Sequence, residues 1–243
     1  VCRTSRLALL LPCCALVAGT TVAARAAEPE PARVPWTQRA SGDLRGLWHP
    51  ETAVVLMAAG ALTVAAHAVE DPDAAEEALD RRGLDAVADA GNIYGAVAFM
   101  APASAIVLAS GYAAHSPAAT ELGWDLCHAL VISTAAATAI KVSVDRTRPD
   151  GGSMSFPSGH TTTAFTVAPV LQHHLGWKVG VPAYLAGVVV AAGRMEDRRH
   201  YLSDVVFGAG LGIVAGRAVV RGTGAGPAVG LGPGGAPALV LRF

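Results

Sequence analysis

The sequence predicts an all-α fold, a bundle of about six apolar helices, on three observations. Hydrophobic residues make up 52% of the 243, and the mean hydropathy of +0.43 exceeds what most soluble domains show. Apolar stretches of helical length recur at 52–69, 92–113, 123–143, 161–175, 178–192 and 204–220. Between Asn92 and Ala114 there is no charged residue at all, which is enough chain to cross a hydrocarbon core.

Taken in order, the chain opens with Arg3 and Arg6, an apolar run from Leu7 to Val17, and small residues ending at Ala24-Arg25-Ala26. This pattern predicts a secretory signal over 1–26 cleaved near Ala26 or Ala27, or a retained N-terminal anchor. Cys2, Cys13 and Cys14 fall inside it, so Cys127 stands alone afterwards. An internal disulfide or a Cys-based metal site is then excluded. Residues 27–51 are Pro-rich, carry Trp36 and Trp48, and read as an irregular or interfacial lead.

A helical domain is expected over 52–220, its motif core over 123–220. After the first helix, Glu70 to Gly91 carries eight acidic residues and reads as a solvated face with a short amphipathic helix. The 92–114 stretch is the best membrane span; the other helices are richer in Ala, Gly and Val. A Gly/Pro-rich tail at 221–243 closes the chain, with a short strand or irregular structure over 238–243. The formal net charge of -1 gives no basic field for nucleic acid.

Three clusters carry chemistry. Lys141 and Arg148 are seven apart, which on a helix places both cations on one face, with Pro149 breaking the helix behind them. Arg offers a planar fork to two phosphate oxygens and Lys a compact charge. In Pro157-Ser158-Gly159-His160 a turn enters an apolar helix. Ser158 can cap it, the Gly159 and His160 N–H groups can face an anion, and His160 as imidazolium can act as general acid. His200 and Asp204, four apart, share a helical face. The carboxylate can accept from one ring nitrogen and leave the other free to attack phosphorus. Arg194, six before His200, adds a guanidinium from the loop entering that helix.

With these residues in place, the chain resembles the type 2 phosphatidic acid phosphatase superfamily, which shares its helical core with bacterial non-specific acid phosphatases and vanadium haloperoxidases. The ten matching positions are Lys141, Arg148, Pro149, residues 157–160, Arg194, His200 and Asp204, and the resemblance covers roughly 92–220. It implies a phosphatase in which His200 forms a phosphohistidine, Asp204 orients it and His160 protonates the leaving group. Lys141, Arg148, Ser158, Gly159 and Arg194 would hold the phosphate, with no metal and no cofactor. Gly193 departs from the family pattern, which has Ser there; a backbone N–H is what remains for contact.

The expected substrate is a phosphomonoester or a lipid (pyro)phosphate at the cell envelope, and the expected partners are that substrate and membrane lipids, not nucleic acid. Two other readings of the same residues are a vanadate-dependent haloperoxidase and a non-catalytic membrane protein binding anionic headgroups. If all six helices spanned after a cleaved signal, Lys141 would reach the cytoplasmic side. Treating 52–69 as non-spanning returns the site to the periplasmic face, the placement adopted here; a soluble periplasmic bundle is the alternative. His128 with Asp125 is a candidate support for Lys141. The remaining histidines read as surface or satisfied core groups.

Overall fold

The lead segment turns helical at Trp36, where the irregular reading ends. A computed structural model describes residues 36–80, 85–222, 228–231 and 237–240. Among them run α1 (Trp36–Leu47), α2 (Pro50–Val69), α3 (Pro72–Asp80), α4 (Asp85–Gly95), α5 (Val97–Ala113), α6 (Pro117–Val144), α7 (Gly159–Leu175), α8 (Trp177–Glu196) and α9 (Leu202–Gly222). Strands β1 (Ala228–Leu231) and β2 (Pro237–Val240) pair antiparallel, Ala228 opposite Val240. The signal or anchor expected over 1–26 lies outside the described residues.

Helix α1 corrects the irregular lead. The prolines of that lead stop at Pro35 and resume at Pro50, and within the gap Arg39 and Asp43 sit one turn apart. Arg39 pairs with Glu121, and Asp43 accepts from His128 at 2.6 Å, so α1 is tied to α6 by charge. The capping chemistry sets the other starts. Pro50 and Pro117 occupy first-turn positions, and the Ser116 hydroxyl accepts from the Ala119 N–H, which begins α6 six residues earlier than the apolar pattern alone predicts.

The expected span over 92–113 is broken. Ala96 is extended (φ -72°, ψ 131°), and the helical pieces Asp89–Gly95 and Val97–Ala113 meet at 57°. Close packing accounts for the bend: a side chain at Gly95 would come within 2.6 Å of Val190 Cγ1 and 3.1 Å of His160 Cβ. Charge-free composition therefore did not make one straight rod here.

Helix α7 lies at the centre, packed by α6, α8 and α9. Residues Thr161 to Val170 are buried without interruption, so no face of this segment meets solvent. Its hydroxyls are satisfied within the helix: Thr162 and Thr166 donate to the carbonyls of Ser158 and Thr162 at 2.8 and 2.7 Å. Helix α9 reaches it through glycine. Side chains at Gly208, Gly212 and Gly216 would come within 2.8, 2.4 and 2.4 Å of the carbonyl oxygens of Ser158, Thr162 and Thr166, so the backbones touch along two turns. Met100, Leu126, Leu130, Val167, Val170 and Val219 fill the core beside this seam.

Outward faces are apolar: Val54, Met57, Leu62 and Val64 on α2, Val131 and Val142 on α6, Leu185 and Val188 on α8 are exposed. Among the described residues four helices, α2, α6, α8 and α9, are long and apolar enough to cross a membrane, and the bent α4–α5 pair is a fifth candidate. Long apolar helices with apolar outer faces make this a membrane-associated protein. The stretch 52–69, expected not to span, lies within α2, which by length and composition is itself one of these candidates.

The glycine seam is testable. Gly212→Ala forces a methyl group onto a backbone carbonyl and is expected to destabilise the fold by about 2 kcal/mol, lowering the thermal midpoint in detergent. Gly60→Ala, where nothing lies within 4 Å, is expected to leave the midpoint unchanged or raise it.

Candidate active site

The first cluster is built at the end of α6. Lys141 lies in its last turn and donates from Nζ to the Met154 carbonyl at 2.8 Å and that of Ser155 at 3.4 Å. The helix stops at Val144 because Asp145 is left-handed (φ 41°) and returns its N–H to the Lys141 carbonyl. Arg148 is therefore on a loop and not on the helical face of Lys141, as the seven-residue spacing had suggested; Pro149 stands beyond the helix end. A turn holds Arg148 instead, its N–H on Gly152 O at 2.7 Å and its carbonyl accepting from Gly151 at 3.0 Å, with Gly151 at φ 87°. Asp150 staples this turn to the α8–α9 connection, accepting from Arg199 at 3.0 Å.

The second cluster opens α7. Ser158 is its N-cap, its hydroxyl accepting from the Thr161 N–H and, at 3.0 Å, from the Thr161 hydroxyl. First-turn N–H groups have no carbonyl behind them in the helix, so this end attracts anions. A side chain at Gly159 would meet Lys141 Cε at 3.6 Å, which places the α7 start beside the first cluster.

The third cluster differs from its expected geometry at two points. Arg194 belongs to the last turn of α8, not to a loop, and donates to Asn92 Oδ1 at 3.0 Å and Asp197 Oδ2 at 3.3 Å. His200 precedes α9 instead of lying on it. Arg198 is left-handed (φ 54°), and the N–H groups of Arg199 and His200 both return to the Arg194 carbonyl. Asp204, in the first turn of α9, reaches back to the Tyr201 N–H at 2.9 Å, as an acid at the third helical position commonly does. Its Oδ2 stands 3.6 Å from His200 Nδ1, too long for a hydrogen bond. The other carboxylate contacts come from Arg146 Nη1 at 2.9 Å and the Ser155 hydroxyl.

All eight candidate site residues gather at one end of the bundle. His160 lies within electrostatic reach of Arg194, His200 and Lys141, and Lys141 within reach of Arg148, Arg194 and Asp204. Two buried guanidinium nitrogens there, Arg148 Nε and Arg194 Nε, have no partner, and His200 Nδ1, which faces Asp204, makes no hydrogen bond. Buried donors left unpaired are costly, and an anion would satisfy the two guanidinium nitrogens. Burial first, then the nearby Arg194, His200 and Lys141, push His160 down to about 4. Burial also lowers His200, against the opposing pull of Asp204.

Arg146, Ser155, Ser203, Glu70 and Asn92 are the site residues that the clusters did not mark. Arg146 and Ser155 sit beside marked positions and could have been suspected on proximity. Glu70 and Asn92 arrive from distant helices, which no spacing reveals. His128 and Asp125 do not support Lys141: His128 pairs with Asp43, and Asp125 with His174 at 2.8 Å, near the other end of α6.

A depressed imidazole makes stability depend on pH. With His160 near 4 when folded and about 6.5 when unfolded, the unfolded chain binds more protons between these values. Stability is full above about 6.5 and is lost as pH falls toward 4. Thermal midpoints are expected to fall from pH 7 to pH 4.5, and His160→Gln is expected to flatten that fall.

Residues 122–225 match the family model described as PAP2 superfamily. Lipid A 1-phosphatase of Porphyromonas gingivalis is 44% identical over 82 residues, 31% of this chain and 18% of that protein. The chain thus spans less than a fifth of that curated relative's length. Among solved structures, LpxE of Aquifex aeolicus is similar at a TM-score of 0.48 and 23% identity, over 57% of this chain and 86% of that one. The transmembrane PAP2 type phosphatidylglycerolphosphate phosphatase of Bacillus subtilis gives 0.49 and 24%, over 76% and 94%. Residues 122–225, the stretch that matches this family model, hold all ten positions of the three clusters.

Proposed function

We propose that this chain is a metal-independent phosphatase acting on a phosphorylated membrane lipid through a phosphohistidine. The observation that carries the reading is the pair of unpartnered buried guanidinium nitrogens on Arg148 and Arg194, gathered beside Lys141. A phosphate group satisfies both guanidinium donors and neutralises the cations. The PAP2 superfamily match over residues 122–225 and the lipid A 1-phosphatase similarity support a lipid phosphate over a soluble ester.

In the proposed reaction Lys141, Arg148, Arg194, the Ser158 hydroxyl and the N–H groups of Gly159 and His160 hold the phosphoryl oxygens. Asp204 faces Nδ1 of His200, so Nε2 supplies the electron pair that forms the N–P bond. The P–O bond to the leaving group breaks, and protonated His160 gives that oxygen its proton. Water then attacks phosphorus, His160 takes a proton back, and the N–P bond breaks to release inorganic phosphate. Burial and the nearby Arg194 and Lys141 hold His160 neutral at pH 7; a bound dianion offsets those cations and raises its affinity for the proton it must donate.

The ends of α2, α6 and α8 and the starts of α7 and α9 share the site face, and we place that face outward, toward the periplasm. Protease protection at residue 150 in sealed vesicles tests the side: cleavage from the periplasmic side is expected, and cleavage only after lysis overturns the placement.

Phosphate release is measured on phosphatidate, an isoprenyl pyrophosphate, a lipid A phosphate and an aryl phosphate. Hydrolysis of at least one lipid is expected, insensitive to chelator, with His200→Ala lowering kcat by about 1,000-fold or more. Equal hydrolysis by His200→Ala would sink the mechanism.

A further inference from the structure

Arg146 stands between two carboxylates. Its Nη1 donates to Asp204 Oδ1 at 2.9 Å and to the Ser203 hydroxyl at 2.7 Å, while Nη2 donates to Glu70. The Tyr201 ring lies 3.9 Å from the guanidinium carbon and closes one face. Glu70 follows the last residue of α2 and is itself almost buried, its side chain 7% exposed. It accepts from the Ser203 N–H at 3.1 Å and the Ser203 hydroxyl at 2.6 Å, and His67 also contacts it. A continuous chain therefore runs from Glu70 through Arg146 to Asp204 and ends beside His200. Neither Glu70 nor Arg146 is among the ten cluster positions.

Asp204 is fully buried, and His200 Nδ1 has no hydrogen-bond partner, so the ring feels the carboxylate mainly through its charge. What Arg146 withdraws from that charge, the ring does not feel. What Glu70 withdraws from Arg146 is returned to Asp204.

We propose that Arg146, held by Glu70, is the positioning group of the nucleophile: it fixes the Asp204 carboxylate beside His200 and sets how strongly that carboxylate acts on the imidazole. This rests on His200 being the nucleophile. The arrangement also couples the reactive ring to the end of α2, through Arg146 and, beside it, through Ser203. Facing His200 are Asp204 from α9, Lys141 from α6, Arg194 from α8 and His160 from α7. Facing Arg146 are Glu70, His67 and Asp204.

The signs are opposite for the two members. Arg146→Met leaves Asp204 unshielded, which favours imidazolium, so the His200 titration moves up. Glu70→Gln leaves Arg146 drawing on Asp204 alone, so the titration moves down. Each shift is expected to be about half a pH unit or more.

The test uses the full chain in detergent with ring-labelled histidine, His200 being assigned by its loss in His200→Ala. Nuclear magnetic resonance then follows the ring across pH in wild type, Glu70→Gln, Arg146→Met and the double variant. Kinetics on the best lipid substrate are expected to show kcat reduced about 10-fold in Glu70→Gln and about 100-fold in Arg146→Met. KM and inhibition by inorganic phosphate should stay within about 2-fold. The double variant should lose little more than Arg146→Met, because Glu70 acts chiefly through Arg146.

Unmoved titrations in both variants would overturn the proposal, and so would a loss appearing in KM and phosphate inhibition, which would make Arg146 a substrate contact. If Arg146→Met fails to fold, Arg146→Lys replaces it: the charge is kept and the fork lost, so kcat is expected to fall with the titration near wild type, and unchanged kcat would count against positioning. Should His200→Ala hydrolyse as well as wild type, the functional reading fails, while the ring titration still decides whether Arg146 and Glu70 govern His200.

Discussion

Asp204 is a carboxylate with no solvent exposure, and an uncompensated charge at that depth would cost several kcal/mol. Its compensation dictates the surrounding structure. Arg146 must leave the end of α6 to reach one oxygen, Ser155 must stand under the α7 start to reach the other, and the Tyr201 N–H must turn back onto it. The position at the head of α9 adds the favourable field of a helix N-terminus. The Asp204 carbonyl also accepts from the Ser158 N–H at 3.0 Å, so one residue joins the starts of α7 and α9 through both side chain and backbone. His200 takes its place because the chain has to arrive at Asp204 through a tight turn.

The glycine seam gives this junction its stiffness. With Gly208, Gly212 and Gly216 facing Ser158, Thr162 and Thr166 in register, a slide of one helix along the other would drive carbonyl oxygens into new backbone. Packed interiors yield in steps, not continuously. The separation between the Ser158 cap and the Asp204 carboxylate is therefore fixed by backbone contact, and the phosphate cradle and the nucleophile move as one unit. Small residues, which made these helices look like weak membrane spans in the sequence, are what allow this contact.

Much of the fold was legible because apolar periodicity and capping residues are local signals. The six helices at 52–69, 92–113, 123–143, 161–175, 178–192 and 204–220 all have counterparts in the structure. The failures share a cause in tertiary contact. The break at Ala96 depends on Val190 and His160 pressing on Gly95. Helix α1 depends on Glu121 and His128 meeting Arg39 and Asp43. The cluster residues converge as their spacing implied, but the local shapes differed: Arg148 leaves the helix at Asp145, and His200 sits ahead of α9, because left-handed residues at 145 and 198 are set by packing rather than by motif. Glu70 was read as part of a solvated acidic face, since nothing in the sequence announces that the end of α2 returns to α9.

The two ends of the bundle are made of similar residues put to opposite electrostatic use. At the far end, cations and carboxylates pair off: Arg39 with Glu121, His128 with Asp43, His174 with Asp125, Arg221 with Glu51. The charges in these pairs are met inside the protein, so they leave little field to draw in a ligand. At the site end, Lys141 and Arg194 occupy the last turns of α6 and α8, where helix carbonyls favour cations, and Lys141 meets carbonyl oxygens in place of a carboxylate. Of the carboxylates at this end, Asp204 is engaged by Arg146 and Ser155 and Glu70 by Arg146 and Ser203, while Asp197 meets Arg194. The α7 N-terminus adds its own positive end. Helix direction, alternating along the chain, thus collects two carbonyl ends that seat cations and two N–H ends on one face.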